Sequence, residues 1–287
     1  PGVQRRGVAG ARGAVVGAWT GGVHPPGRAR ARRVAAALQA EGRRVLADWD
    51  QLLVAPEALR TGGGDPYRVY GPFLRNWRGQ VLRKQALGPA TTGGLDPAPA
   101  PRGLLDLDPA AFPAERRHLW QTLPLLTEVP EPASLGPVFD GAERCPCRPG
   151  EAATLQQLEA FADGGTGGGP LLRYDSERNL PGQEGTSALG AALRFGTLSP
   201  RQAWAAARSA RELAGSAEAL ASIEVWEQEL AWREFYQQAL FHFPELADGP
   251  YRPRWKHFPW ENDPERLAAW REGLERCCLV GHSYGTA

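Results

Sequence analysis

Between residues 85 and 150 the chain accumulates prolines, three of them alternating at Pro97, Pro99 and Pro101. Proline fixes φ and removes a backbone donor, so such a stretch reads as a partly extended connector. A connector this long inside one compact unit is uncommon, and it marks a boundary between two units. The 287 residues on either side and within it suffice for two ordinary domains. The two flanks also differ in kind. Before the connector, Val15-Val16 reads as a short buried strand. Val34, Ala37 and Leu38 sit at helical spacing between Ala29 and Gln39, and Arg43–Ala47 reads as a further strand. That order is a β/α repeat and implies a parallel sheet. A helix is expected from Tyr67 to Leu82, with Tyr70, Phe73, Leu74 and Trp77 on one side. After the connector, Glu151–Phe161, Leu189–Phe195, Pro200–Leu213, Ser222–Phe241 and Pro264–Gly273 all read as helices, with no convincing strand.

Charge and composition exclude several classes. Lys+Arg 33 against Asp+Glu 32 leaves a net charge of +1, so a uniformly basic nucleic-acid binder is excluded while a local basic groove is not. No apolar run reaches the roughly 18 residues of a membrane span. The four cysteines, Cys145, Cys147, Cys277 and Cys278, match no zinc-finger spacing and are expected to be free thiols in a reducing compartment, hence a cytoplasmic chain. No secretory signal is recognisable. The five histidines are scattered, no metal site is expected, and neither Gly62–Gly64 nor Gly164–Gly169 matches a Walker or Rossmann fingerprint. The sequence opens at Pro1 with no methionine anywhere and 35 glycines, which reads as a piece of a longer protein from a Gly/Ala/Arg-rich source.

The most informative segment is Trp226-Glu-Gln-Glu-Leu-Ala-Trp-Arg-Glu-Phe-Tyr236. On a helix, Glu229, Trp232, Arg233 and Tyr236 fall at offsets 0, 3, 4 and 7 and share one face, while Ile223, Leu230, Ala231 and Phe235 serve the buried side. A carboxylate, an indole, a guanidinium and a phenol on one face suit a planar, hydrogen-bonding, partly charged ligand. The bland alternative is a Glu229–Arg233 pair at i,i+4 beside core aromatics. A second segment, Gly185-Thr-Ser-Ala-Leu-Gly190, combines a glycine, two hydroxyls and a helix start, which suits an anion. A plain cap by Thr186 or Ser187 accounts for it equally. Ten tryptophans, and Arg173, Arg178, Arg194, Arg201, Arg233, Arg252, Arg254 and Lys256 interleaved with aromatics, suit base stacking and a phosphate backbone, or simply core and solvated surface.

Taken in order, several segments resemble the DNA photolyase/cryptochrome family, in its class I-like photolyase form. Gly64-Asp-Pro-Tyr-Arg-Val-Tyr-Gly-Pro-Phe-Leu-Arg-Asn-Trp77 resembles G-x-P-Y-x-V-F-x-P-F-x-x-x-W. Tyr174 to Gly190 resembles the family's Tyr, Arg-Asp-x-Pro and G-T-S-x-L-S pattern. Leu193 to Arg201 resembles L-x-F-G-x-[IL]-S-[PI]-R, and Trp226 to Tyr236 matches W-x-x-E-L-x-W-R-E-F-Y almost letter for letter. The resemblance implies four stretches: a partial α/β antenna domain at 1–88, a connector at 89–149, the N-terminal part of a mostly helical FAD-binding domain at 150–273, and a divergent tail at 274–287. It implies light-driven splitting of cyclobutane pyrimidine dimers in DNA by electron transfer from reduced FAD. The cryptochrome-type blue-light receptor and a non-functional remnant are the alternatives.

By the same likeness Tyr174, Thr186, Ser187, Ala188, Leu189, Gly190, Trp226, Glu229 and Arg233 are expected at FAD. Arg178, Glu229, Trp232, Arg233 and Tyr236 are expected at dimer-containing DNA. Glu229, Trp232 and the relay tryptophan Trp260 are expected to be catalytic. Trp232 would stack on a flipped-out dimer, which costs less to extrude than a normal base pair. A protonated Glu229, or a donor beside it, would hydrogen-bond the charge developing on a pyrimidine carbonyl. An antenna pigment, a deazaflavin or a folate, and a monomeric chain complete the expectation. The sequence departs from the family at Asn179, where Asp is usual, and at Gly190, where Ser is usual. It departs again after Gly273, where the segment expected to complete the flavin pocket and the tryptophan relay is replaced by Leu274-Glu-Arg-Cys-Cys. The first strand of the antenna domain is likewise expected to be missing.

Overall fold

The computed structural model describes residues 16–86, 149–162, 168–259 and 261–272. Most of the connector, the cysteines, Trp260 and the segment after residue 272 lie outside the described residues. Strand β1 (Val16–Thr20) pairs in parallel with β2 (Arg44–Asp48), in the register Val16↔Arg44 to Thr20↔Asp48. Helix α1 (Pro25–Ala40) crosses between them, as the β/α pattern requires. Its first turn carries Pro25 and Pro26, which are preorganised for a helix start, and Gly42 at φ +72° follows its end. Helix α2 (Tyr70–Ala86) closes this half.

Among its described residues the second half has helices and no strand: α3 (Glu151–Ala162), α4 (Tyr174–Glu177), α5 (Gly190–Phe195), α6 (Pro200–Leu213), α7 (Ala217–His242) and α8 (Pro264–Arg271). Helix α6 has a full capping box. Ser199 Oγ accepts from the Arg201 backbone and Gln202 reciprocates to the Ser199 backbone, with Pro200 at the first position. Helix α7 starts further upstream than its apolar spacing suggests, because Ser216 caps it by accepting from the Ala219 backbone. Among the described residues no helix is long and apolar enough to cross a membrane, and no cluster of three metal-ligating side chains occurs.

One hydrophobic core joins both halves. Leu53, Val54, Leu59, Phe73, Trp77 and Val81 pack with Leu158, Phe161, Leu171, Trp204, Ile223, Trp226 and Leu230. Trp77 meets Trp204 edge-on at 5.8 Å, and α2 lies against α7. Helix α2 therefore brings the N-terminal half directly onto the helix that carries the Trp226–Tyr236 segment.

Candidate functional site

Helix α7 positions the site. Its buried stripe runs Ala219, Ser222, Ile223, Trp226, Glu227, Leu230, Ala231, Glu234 and Gln238. That stripe fixes the helix rotation and turns Glu229, Trp232 and Tyr236 toward the outer side. Glu229 pairs with Arg178 at 2.5 Å, and each side chain is about a third exposed. The partner of Glu229 is thus Arg178, just past α4, and not Arg233 one turn along the same helix. Arg178 also lies over the Tyr174 ring at 5.5 Å. Burial, reinforced by Glu229, pushes the Tyr174 phenol above its ordinary value.

Trp232 is half-buried and stacks on Tyr70, the first residue of α2, with ring centroids 3.4 Å apart and planes within 6°. On the same helix it runs nearly parallel to exposed Tyr236, centroids 5.8 Å apart. The Tyr70 hydroxyl donates to the Gln228 carbonyl at 3.1 Å. Burial first, and Glu229 second, hold the Tyr70 phenol above its usual range. Arg178, Glu229, Tyr70, Trp232 and Tyr236 therefore lie along one polar-aromatic side of α7, with Tyr174 buried beneath Arg178 and packed on Phe161 at 6.1 Å.

Two of the expected site residues turn elsewhere. Arg233 donates to the Gln51 carbonyl at 2.7 Å and the Leu193 carbonyl at 3.3 Å, tying α7 to the loop after β2 and to α5. Gln237 adds its amide oxygen to the same guanidinium at 3.0 Å. Burial lowers the pKa of Arg233, and these carbonyls take up its donors. Trp226 is 4% exposed and packs on Phe161 at 5.5 Å, inside the core. Trp260 lies outside the described residues.

The segment 185–190 approaches its neighbours closely on one side and is open on the other. A Cβ on Gly185 would fall 2.7 Å from Glu177 Cβ, so only glycine fits there. The Ser187 carbonyl accepts from Gln157 at 2.7 Å, and Ala188 takes φ +50°. Leu189 is buried, while Thr186 and Gly190 are exposed. Helix α5 begins after Leu189 with no side-chain cap, so neither Thr186 nor Ser187 is spent as one. The Thr186 and Ser187 hydroxyls, not used as caps, suit a diphosphate-bearing group.

Sequence reasoning missed Glu234. Its carboxylate is fully buried and accepts from the Leu53 backbone, the Val54 backbone at 3.2 Å and Trp77 Nε1 at 2.7 Å. The signal lay in spacing: Ile223, Glu227, Leu230, Glu234 and Gln238 recur at three and four residues, so the acids at 227 and 234 sit on the buried stripe.

Comparison with known proteins agrees with this architecture. Residues 8–101 match the DNA photolyase family model, and residues 226–275 match the FAD binding domain of DNA photolyase. A deoxyribodipyrimidine photo-lyase of Synechococcus is 45% identical over 254 residues, covering 88% of this chain and 47% of the relative. The crystal structure of a bacterial class III photolyase from Agrobacterium tumefaciens superposes with a TM-score of 0.65 at 30% identity, covering 91% of this chain and 48% of that one. A Synechocystis cryptochrome shares the fold, with a TM-score of 0.56, 22% identity and coverage of 88% and 47%. The fold is that of its photolyase neighbours: a small parallel sheet followed by a helical region, part of which matches the FAD binding domain model. The chain belongs to the DNA photolyase/cryptochrome family. It spans about half the length of the photolyases it matches.

Proposed function

We propose that this chain is part of a deoxyribodipyrimidine photo-lyase, which repairs cyclobutane pyrimidine dimers in DNA by light-driven electron transfer from reduced FAD. The observation that carries the reading is the patch on α7, where an ion-paired carboxylate and guanidinium, Glu229 and Arg178, stand beside the stacking indole of Trp232. The 45% identity to the Synechococcus photo-lyase supports it. Thr186, Ser187 and the first amides of α5 would hold the cofactor diphosphate, with Tyr174 close to Arg178 on the same side. Bound reduced FAD would supply the light-driven electron.

The chain's own residues then do the rest. Trp232 offers an apolar surface to an extruded dimer whose stacking is already lost. Arg178 is a charge-assisted donor for a pyrimidine carbonyl that gains negative charge, and Glu229 holds that guanidinium in place. Of the two donor sources considered from sequence, the group beside Glu229 is the one supported here. Arg178 therefore serves the lesion edge in this reading, with phosphate contact a second use of the same charge. Arg233 and Trp226 act from behind, by fixing α7 against α5 and Phe161. The division at 1–88, 89–149, 150–273 and 274–287 stands as part of the proposal, with α2 packed onto the helical half.

The test is repair of dimer-containing oligonucleotide by the purified chain supplied with FAD and reductant, under blue light and in darkness. Repair in light alone, with a flavin absorption band on the protein, supports the reading. A flavin band with dimers left intact favours the receptor, and absence of the band favours the remnant.

A further inference from the structure

We infer that Tyr70 is a positioning residue for the lesion-facing indole of Trp232, so that the N-terminal half takes part in lesion capture; this rests on the lesion-site reading above. Tyr70 opens α2, a helix anchored by the fully buried Phe73, Trp77 and Val81. Its ring covers one face of Trp232 at 3.4 Å and 6°. Its hydroxyl is tied to the Gln228 carbonyl, the residue just before Glu229. The edge of Phe235 meets both rings, at 5.7 Å from Tyr70 and 5.8 Å from Trp232. The Tyr70 stack and the Phe235 edge thus hold the indole plane before anything binds, and Tyr70 is itself held by its hydroxyl and by Phe235.

An indole that must receive an extruded pyrimidine dimer gains from such a fixed plane, because ordering it on binding would cost affinity. Tyr70 closes the face that it covers, and exposed Tyr236, nearly parallel at 5.8 Å, borders the indole as a second ring on the same lesion surface. The same stack links the two halves, so movement of α2 against α7 changes the lesion surface directly.

The experiment compares the chain with Tyr70→Leu and Tyr70→Phe, measuring dark affinity for a duplex with and without a single dimer. Acrylamide quenching of Trp232, taken as the difference from a Trp232→Phe background, reports the indole without DNA. The expected result is about tenfold weaker dimer binding in Tyr70→Leu, with undamaged-duplex affinity within twofold. Trp232 quenching should rise, and Tyr70→Phe, which keeps the stack and loses only the hydrogen bond to Gln228, should stay closer to the parent than Tyr70→Leu does. Unchanged dimer affinity in Tyr70→Leu, or equal weakening on both duplexes, overturns the inference. If the parent chain shows no dimer preference while Tyr70→Leu still raises quenching, the lesion reading fails and takes the inference with it, leaving the stack as packing between halves. Should Tyr70→Leu not fold, Tyr70→His, which covers less of the indole, carries the same comparison.

Discussion

The Trp77 indole nitrogen donates to the Glu234 carboxylate at 2.7 Å, with both side chains fully buried. With the Leu53 and Val54 amides, this makes Glu234 the hub that holds the loop after β2, helix α2 and helix α7 together. Burial pushes its pKa up to about 6, from an ordinary 4.5, despite the three donors. The folded chain thus binds a proton more tightly than the unfolded chain does.

The stability contributed by protonation of Glu234 is therefore full below about pH 4.5 and is lost as pH rises through about 6, a change of roughly 2 kcal/mol. Chemical denaturation across pH 4 to 7.5 should show this fall in the parent chain and not in Glu234→Gln. Glu234→Gln should also be less stable at every pH, because an amide cannot accept from all three donors. A parallel pH dependence in the two proteins would remove Glu234 as the titrating group.

Glu227 is the other buried acid on α7. It pairs with Arg211 at 2.9 Å and lies 3.7 Å from Arg78 of α2. Burial raises its pKa, and Arg211 opposes the rise. Glu227→Ala should cost about 1–3 kcal/mol, less than loss of a fully buried partner, because both guanidiniums still reach water. Urea unfolding measures it, and a loss below 0.5 kcal/mol, the size of an ordinary surface substitution, would show that the pair is not stabilising.

The sequence made the helical half legible because capping and apolar spacing agree there. Pro200–Leu213 is observed as expected, and Glu151 opens α3 as expected. Val16–Thr20 and Arg44–Asp48 form the expected parallel pair, though β1 extends well beyond the Val15-Val16 cue, since Gly17 and Ala18 carry no β signal. Helix α1 begins at Pro25, four residues earlier than the apolar spacing, because paired prolines are good first-turn residues. What stayed hidden was long-range. Nothing local says that Arg178 lies 2.5 Å from Glu229, or that Tyr70 stacks on Trp232. Both contacts depend on how α2, α4 and α7 pack. The same holds for Arg233, whose partners are carbonyls of Gln51 and Leu193.

The segment proposed for the cofactor diphosphate should tolerate change unevenly. Gly185→Ala should destabilise by about 1–3 kcal/mol, since the added methyl meets the Glu177 backbone at 2.8 Å as well as its Cβ. Ala188→Gly should be neutral to stabilising by up to about 1 kcal/mol, because residue 188 sits at φ +50°. Thermal unfolding of the two variants checks the pair, and the reverse order would contradict the described loop.

Glu229→Ala frees Arg178 from its ion pair. Repair yield per absorbed photon should drop severalfold while the flavin band is kept, and Arg178→Lys should show a smaller loss, because lysine keeps a charged donor although it lacks the guanidinium's fixed fork. Unchanged yield in Glu229→Ala would remove the carboxylate from the proposed chemistry.

The central claim is that the Trp232 surface receives the extruded pyrimidine dimer. Its most direct test is the ratio of dark affinities for dimer-containing and undamaged duplex, measured for the parent chain and for Trp232→Ala. The account predicts a clear preference for the dimer in the parent, at least about tenfold, falling toward unity in the variant while binding to undamaged DNA is retained. A preference that survives loss of the indole would contradict it.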